Sequence, residues 1–174
     1  MSMTSLAAAD PAFLDDVTPL SAACAHGDAP ALFAELDRRM HRSLGHLLCT
    51  VNQLDAGALR LHRLYSSNPE AYPPGGSKAK AGTDWGRHVL LEQRVFVGEG
   101  EAAIAQSFDD HAAIVALGLR SVINVPVVLA GDCLGTVNFL MADARVTDAK
   151  IEAARWAALL ALPGFVLAAR ARMH

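Results

Sequence analysis

The sequence predicts an α+β fold with a central antiparallel sheet. Three observations carry this reading. Two pairs of strand-like runs are each joined by a tight turn, helical stripes of apolar residues stand near both ends, and the middle breaks into loops and short helical pieces. At 174 residues the chain can bury one sizeable core, and its 52% hydrophobic and 19% charged content excludes wholesale disorder.

Residues 1–28 are rich in Ala, Asp and Ser with little sustained period and read as a mobile lead-in, or as a weak helix around Pro11 to Val17. The packed domain is expected over 29–174. From Pro30, Leu32, Phe33, Leu36, Met40 and Leu44 fall on one helical face, with proline early and Gly45 as the stop. HLLCTVNQL and ALRLHRLYS read as strands around an Asp55-Ala56-Gly57 turn. SNPEAYPPGGSKAKAG is a long Pro/Gly loop, of a length that compact domains keep chiefly for function. Thr83 is placed to cap a helix in DWGRHVLLEQR. VFVGEG is a short strand and EAAIAQSF a further turn of helix. Asp109 or Asp110 can cap HAAIVAL, which Gly118 closes. A second hairpin fills 121–140. The last helix starts at Thr147-Asp148, and Pro163-Gly164 should kink or divide it.

Net charge is −3, with four aspartates and no Lys or Arg in residues 1–30, so no basic field exists to attract nucleic acid or acidic lipid. The N-terminus lacks the basic start of a signal peptide, and the apolar stretch from Trp156 to Ala169 is too short to span a bilayer. Cys24, Cys49 and Cys133 are scattered and odd in number, as befits reduced thiols. These features lead us to expect a soluble cytoplasmic domain with neither nucleic-acid nor membrane partner.

The hairpin SVINVPVVLAGDCLGTVNFL is apolar on both faces, the mark of strands covered on both sides. One face carries Ser121, Ile123, Val125 and Val127 with Cys133, Gly135, Val137, Phe139 and Met141. The other carries Asn124, Thr136 and Asn138 among apolar neighbours, with Leu134 at its end. A buried amide without partners costs about 1–3 kcal/mol, so Asn124 and Asn138 need an explanation. An odd-length turn centred on Gly131 sets them opposite each other. A two-residue turn on Ala130-Gly131 sets them on opposite faces.

This hairpin, with its VPV strand, glycine turn and LGT, resembles the most recognisable piece of the GAF domain family. RLYSSNPEAYPPGGSK, TDWGRHVL and FDDHAAIVALG resemble a bacterial group of stand-alone GAF proteins, so the likeness covers roughly residues 30–172. The resemblance implies a GAF/PAS-like sheet with the terminal helices on one face and the short helices and long loop on the other. It also implies a sensor of small molecules that pairs as a homodimer through its terminal helices and passes its signal to another protein. The chain departs from several branches of the family. It has no Asn-Lys-Phe-Asp-type motif of cyclic-nucleotide binders, no cysteine in the zone of bilin attachment, and no cysteine cluster of the free methionine sulfoxide reductases.

The leading expectation is a non-catalytic binding module for an unidentified small molecule, with no cofactor. Its pocket is expected between the Asn124 and Asn138 face and a lid of Tyr72, Trp85 and His88. Tyr65 and Tyr72 flank the long loop, and aromatic residues gathered there suit a pocket wall. Each of these residues also has a plain packing role open to it. His62, His88 and His111 show no metal-ligand spacing, so no metal is expected. Asp109-Asp110 read as helix caps. PPGGSK lacks the spacing of a phosphate loop, although Lys78 is able to reach an anion. Two alternatives stand beside the leading one: a redox enzyme akin to the GAF-type reductases, and a purely structural dimerisation module.

Overall fold

The structure is a computed structural model and describes residues 16–171. β1 (Leu48–Asp55) and β2 (Arg60–Ser66) form the first hairpin, and β5 (Ser121–Leu129) and β6 (Asp132–Met141) the second. With β3 (Ser77–Ala79) and β4 (Phe96–Glu99) they build one six-stranded sheet of order β3-β2-β1-β6-β5-β4, antiparallel throughout. The fold is α+β, as the paired hairpins predict. β3 lies inside the stretch expected to be loop, and it is too short to carry a periodic signal. Pro126 is tolerated in β5 because β4 pairs only as far as Asn124, so its missing N–H faces no β4 partner.

One face of the sheet carries α1 (Thr18–His26), α2 (Ala29–Leu44) and α6 (Asp148–Ala171). Asp28 caps α2 by accepting from the Ala31 N–H at 2.9 Å, and Gly45 ends it in the left-handed conformation. Leu32, Phe33, Leu36, Met40 and Leu44 are all buried, at about 1.5–3 kcal/mol each. They share a core with Cys49, Val51, Ile123, Val125, Val137 and Phe139 of the sheet and with Ala157, Ala161 and Phe165 of α6.

Two expectations are corrected on this face. Thr18–His26, assigned to the mobile lead-in of residues 1–28, is a helix that buries Leu20 and Ala23 against that core; its small buried face leaves little amphipathic pattern to read. Residues 1–15, with most of the weak helix expected there, lie outside the described residues. α6 also runs unbroken past Pro163. It is long and apolar enough to cross a membrane, but its face of Ala154, Ala157, Ala161 and Phe165 is packed into the core.

The other face is covered by the middle of the chain. α3 (Asp84–Gly86) is a single turn that passes directly into a π-helical turn (Arg87–Leu91), rather than the longer helix expected, and α4 (Gly100–Ser107) and α5 (His111–Ala116) follow. Thr83 caps α3 as predicted, its hydroxyl accepting from the Gly86 N–H at 2.9 Å. Beneath these elements Leu48, Val122 and Leu140 pack with Ile104, Ile114 and Leu119, while Leu61 packs with Trp85, Val89 and Leu90.

The register of the second hairpin combines both possibilities left open by the sequence. The turn is the two-residue Ala130-Gly131, both with positive φ, as type I′ hairpins require. Leu129 pairs with Asp132 and Val128 with Cys133, but Val127 pairs with Gly135, so Leu134 is an extra residue in a β-bulge. That one insertion brings Asn124 opposite Asn138. It also exchanges two side chains expected elsewhere: Cys133 packs on the lid side and Leu134 on the helix side. Gly135 makes the bulge possible, because a Cβ there would stand 2.0 Å from the Asn52 carbonyl oxygen and 2.6 Å from the Phe165 ring.

Candidate functional site

A cavity lies between the Asn-bearing sheet face and the middle segment. Its floor is Thr50, Val122, Asn124, Asn138 and Leu140, and its roof includes Trp85, Phe108 and Tyr72. The alternation of β1, β5 and β6 sends these floor residues to one side while their neighbours enter the helix-side core.

The two amides form the middle of a hydrogen-bond relay. The Trp85 indole Nε1–H donates to Asn124 Oδ1 at 2.9 Å, and Asn124 Nδ2 donates to Asn138 Oδ1 at 2.8 Å. Asn138 Nδ2 then donates to the hydroxyls of Thr50 and Thr136, each at 3.1 Å. All of these bonds are buried, so each amide is satisfied where a valine would otherwise serve. The relay ties the roof to the floor through Trp85.

Three basic residues stand around this apolar space. Arg63 reaches from β2, and Lys78 and Lys80 alternate toward the same side along and just beyond β3. The Arg63 guanidinium lies 5.1 Å over the Tyr72 ring and donates from Nη1 to the Pro73 carbonyl at 3.0 Å. Lys78 pairs with Asp110 at 2.6 Å. Lys80 is 7% exposed, with its ammonium 5.0 Å over Trp85 and 5.9 Å from the Phe108 centroid. Burial, with Lys78 beside it, lowers its pKa. A short knot holds it there. The Lys80 carbonyl accepts from the Thr83 hydroxyl at 2.8 Å, and a Cβ on Gly86 would stand 2.2 Å from that same carbonyl oxygen. Gly86 therefore lets the Trp85 turn close onto Lys80.

Burial and the neighbouring Asp110 push the Tyr72 hydroxyl up to about 12. Burial opposes the charge of Asp110 itself, but the Lys78 ammonium outweighs that and holds its carboxyl below the usual range. The space left among these groups is about 80 Å³. That admits a few water molecules and is smaller than the ~150 Å³ cavity that takes a benzene ring.

Of the residues singled out from sequence, Asn124, Asn138, Tyr72 and Trp85 meet at this cavity. Tyr65 does not. A bulge between Val51 and Asn52 turns it to the helix face, where its hydroxyl donates to Asp37 at 2.7 Å. His88 does not either: its Nε2 reaches the Val95 carbonyl at 3.1 Å, its ring meets Phe96 edge-on, and it borders a separate surface cleft. The three-residue spacing from Trp85 put both on one face of a regular helix, but the chain leaves α geometry between them.

Arg63, Lys80 and Asp110 escaped the sequence reading. The Lys78-Ala79-Lys80 alternation was the signal for one of them, hidden in a stretch read as loop. Asp110 precedes α5 but makes no side-chain cap, its carboxylate being spent on Lys78.

None of Cys24, Cys49 and Cys133 lines the cavity. Burial pushes both the Cys49 and the Cys133 thiol up. Cys49 stands with Asp37 and His46 on the helix side, a group whose ligand atoms lie within 4.8 Å of one another. Asp37 there already binds His46 Nε2 at 2.6 Å and the Tyr65 hydroxyl, so the group is closed on itself.

No model of a known protein family and no curated protein matches the sequence. Solved structures match closely in fold. The GAF domain of a phosphoenolpyruvate-protein phosphotransferase from Acinetobacter superposes with a TM-score of 0.67 at 15% identity, covering 92% of this chain and 96% of that one. A phycoerythrobilin-bound GAF domain from a cyanobacterial phytochrome gives 0.63 at 12% identity, over 89% and 94% of the two chains. A GAF domain/HD domain protein from Geobacter sulfurreducens gives 0.61 at 13% identity, over 84% and 98%. The chain has the GAF fold.

Proposed function

We propose that this GAF-fold protein is a non-catalytic sensing module whose ligand enters the cavity between the Asn124–Asn138 face and the Trp85 roof. One observation carries the reading. A mostly apolar cavity is ringed by convergent polar groups and closed by a roof attached to the floor through a single buried relay. Neighbours of the same fold come from signalling proteins, and one of them is described with a bound bilin. The cavity is smaller than a ring-bearing ligand, so occupancy requires the Trp85 turn or the 67–76 loop to move. Ligand then shifts the population between closed and open roofs, by its differential affinity for the two. The raised thiol pKa values of Cys49 and Cys133 speak against thiolate catalysis, which favours binding over a reductase.

Native mass spectrometry of the chain purified from its own cells tests this. A retained small molecule is expected on the wild type and absent from Leu140→Phe, which fills the cavity floor. A bare mass for both proteins, persisting after incubation with cell extract, removes the reading.

A further inference from the structure

We propose that the cavity takes a small organic monocarboxylate, its apolar body against Leu48, Ile114 and Leu140 and its carboxylate on Lys80. This rests on the reading of the cavity as a ligand site and goes further, to the chemical class of the ligand.

The argument is an accounting of donors and acceptors. The Lys80 side chain is 7% exposed with its ammonium over two aromatic faces, and among the described residues it has neither a hydrogen-bond acceptor nor a carboxylate within ion-pair distance. A buried charge of this kind is costly unless paired. A second donor on the cavity wall, Arg63 Nε, is likewise buried without a hydrogen-bond partner, while the Tyr72 hydroxyl stands beside Asp110. The acceptors at the centre of the wall are engaged. Asn124 Oδ1 and Asn138 Oδ1 are taken within the relay, and Asp110 is taken by Lys78. What the wall lacks is an acceptor that donates nothing, and an ionised carboxylate is such a group. Leu48, Ile114, Val122, Leu140 and Phe108 supply the remaining lining, which excludes a ligand that is polar throughout.

The occupant that completes this wall therefore has one acidic head and a short hydrocarbon or single-ring body. Lys80 and Lys78 lie on the same side of the edge strand, so the head enters from the β3 edge and the body points toward α5 and β6.

Isothermal titration of the intact chain with hexanoate and benzoate, beside hexan-1-ol, benzyl alcohol and inorganic phosphate, decides the matter. The carboxylates are expected to bind at least about tenfold more tightly than the alcohols of the same shape, and phosphate more weakly than either carboxylate. Lys80→Met should abolish that preference. Lys80→Gln, which keeps a hydrogen-bond donor without the charge, gives the same reading if the Met variant does not fold. Equal affinity for acid and alcohol overturns the carboxylate class and leaves the cavity as a site for neutral ligands. A carboxylate preference that survives Lys80→Met and Lys80→Gln overturns the seat. Phosphate binding as tight as hexanoate overturns the apolar body. Failure of both acids and alcohols to bind overturns this proposal, and the ligand-site reading then stands or falls on the native mass spectrum alone.

Discussion

Asn124 and Asn138 carry most of the information held by single residues in this protein. Each amide is buried, and each is useful only because the other is there. Replacing Asn124 by valine strips the buried Trp85 Nε1 of its acceptor and the buried Asn138 Oδ1 of its donor. The expected cost is about 1–3 kcal/mol, read as a lower urea midpoint at unchanged slope. The double replacement Asn124→Val, Asn138→Val should cost less than the sum of the single ones, with a coupling of about 0.5–3 kcal/mol, because it removes both halves of one bond. Additive losses would show that the pair acts through packing alone. The same residues mark how far sequence could go. An amide in a buried strand demands a partner, so Asn124 and Asn138 were legible as a question, and their partners Trp85 and Thr50 lie 39 and 88 residues away in the chain.

At the scale of elements, what was legible followed periodicity and what was missed broke it. The hairpins, the apolar stripe of α2, and the division of the two sheet faces all rest on repeats of two or of about 3.6 residues, whereas the Asp28 cap of α2 was missed. A one-residue bulge at Leu134 has no such signature, yet it decides the register, brings the amides together and exchanges Cys133 for Leu134 across the sheet. The bulge at Val51/Asn52 and the switch from α3 to a π turn sent Tyr65 and His88 away from the site for the same reason. β3 is another element invisible to pattern, and it carries the cavity's only ion pair among the described residues: Lys78 of β3 with Asp110, beside α5. Since Lys78 holds the Asp110 carboxyl below its unfolded value, the stabilisation is complete above the ordinary carboxylate range and is lost as pH falls through the folded value. The difference in melting temperature between wild type and Asp110→Asn should therefore be largest near about pH 6 and shrink as pH falls below the ordinary carboxylate range. Lys78 is partly exposed, so the contribution is at most about 1 kcal/mol. A difference that grows on acidification would mean that Asp110 is destabilising as the anion.

For the whole molecule, α6 is the terminal helix that packs on the two strands carrying Asn124 and Asn138. Its inner face places Phe165 against Gly135 in the bulge of β6 and edge-on to Phe33 of α2, at 5.8 Å between centroids. β6 also carries Asn138, so a rearrangement of the amide relay bears on a strand that α6 packs against. The outer face of α6 presents Trp156, Leu159 and Val166, respectively 49%, 56% and 37% exposed, at spacings of three and seven residues that form one stripe. A stripe of this kind on a terminal helix suits a two-fold interface, in which the same surface serves both copies. The inner face is committed to the core, so a charge on the outer stripe should disturb association without disturbing the fold. We expect the wild type to sediment as a homodimer and Leu159→Glu as a monomer, with circular dichroism spectra that are alike. The wild type sedimenting as a monomer at high micromolar concentration would exclude the α6 stripe as a self-association surface, and any signal from the cavity would then have to reach its partner as a one-to-one contact with a different protein.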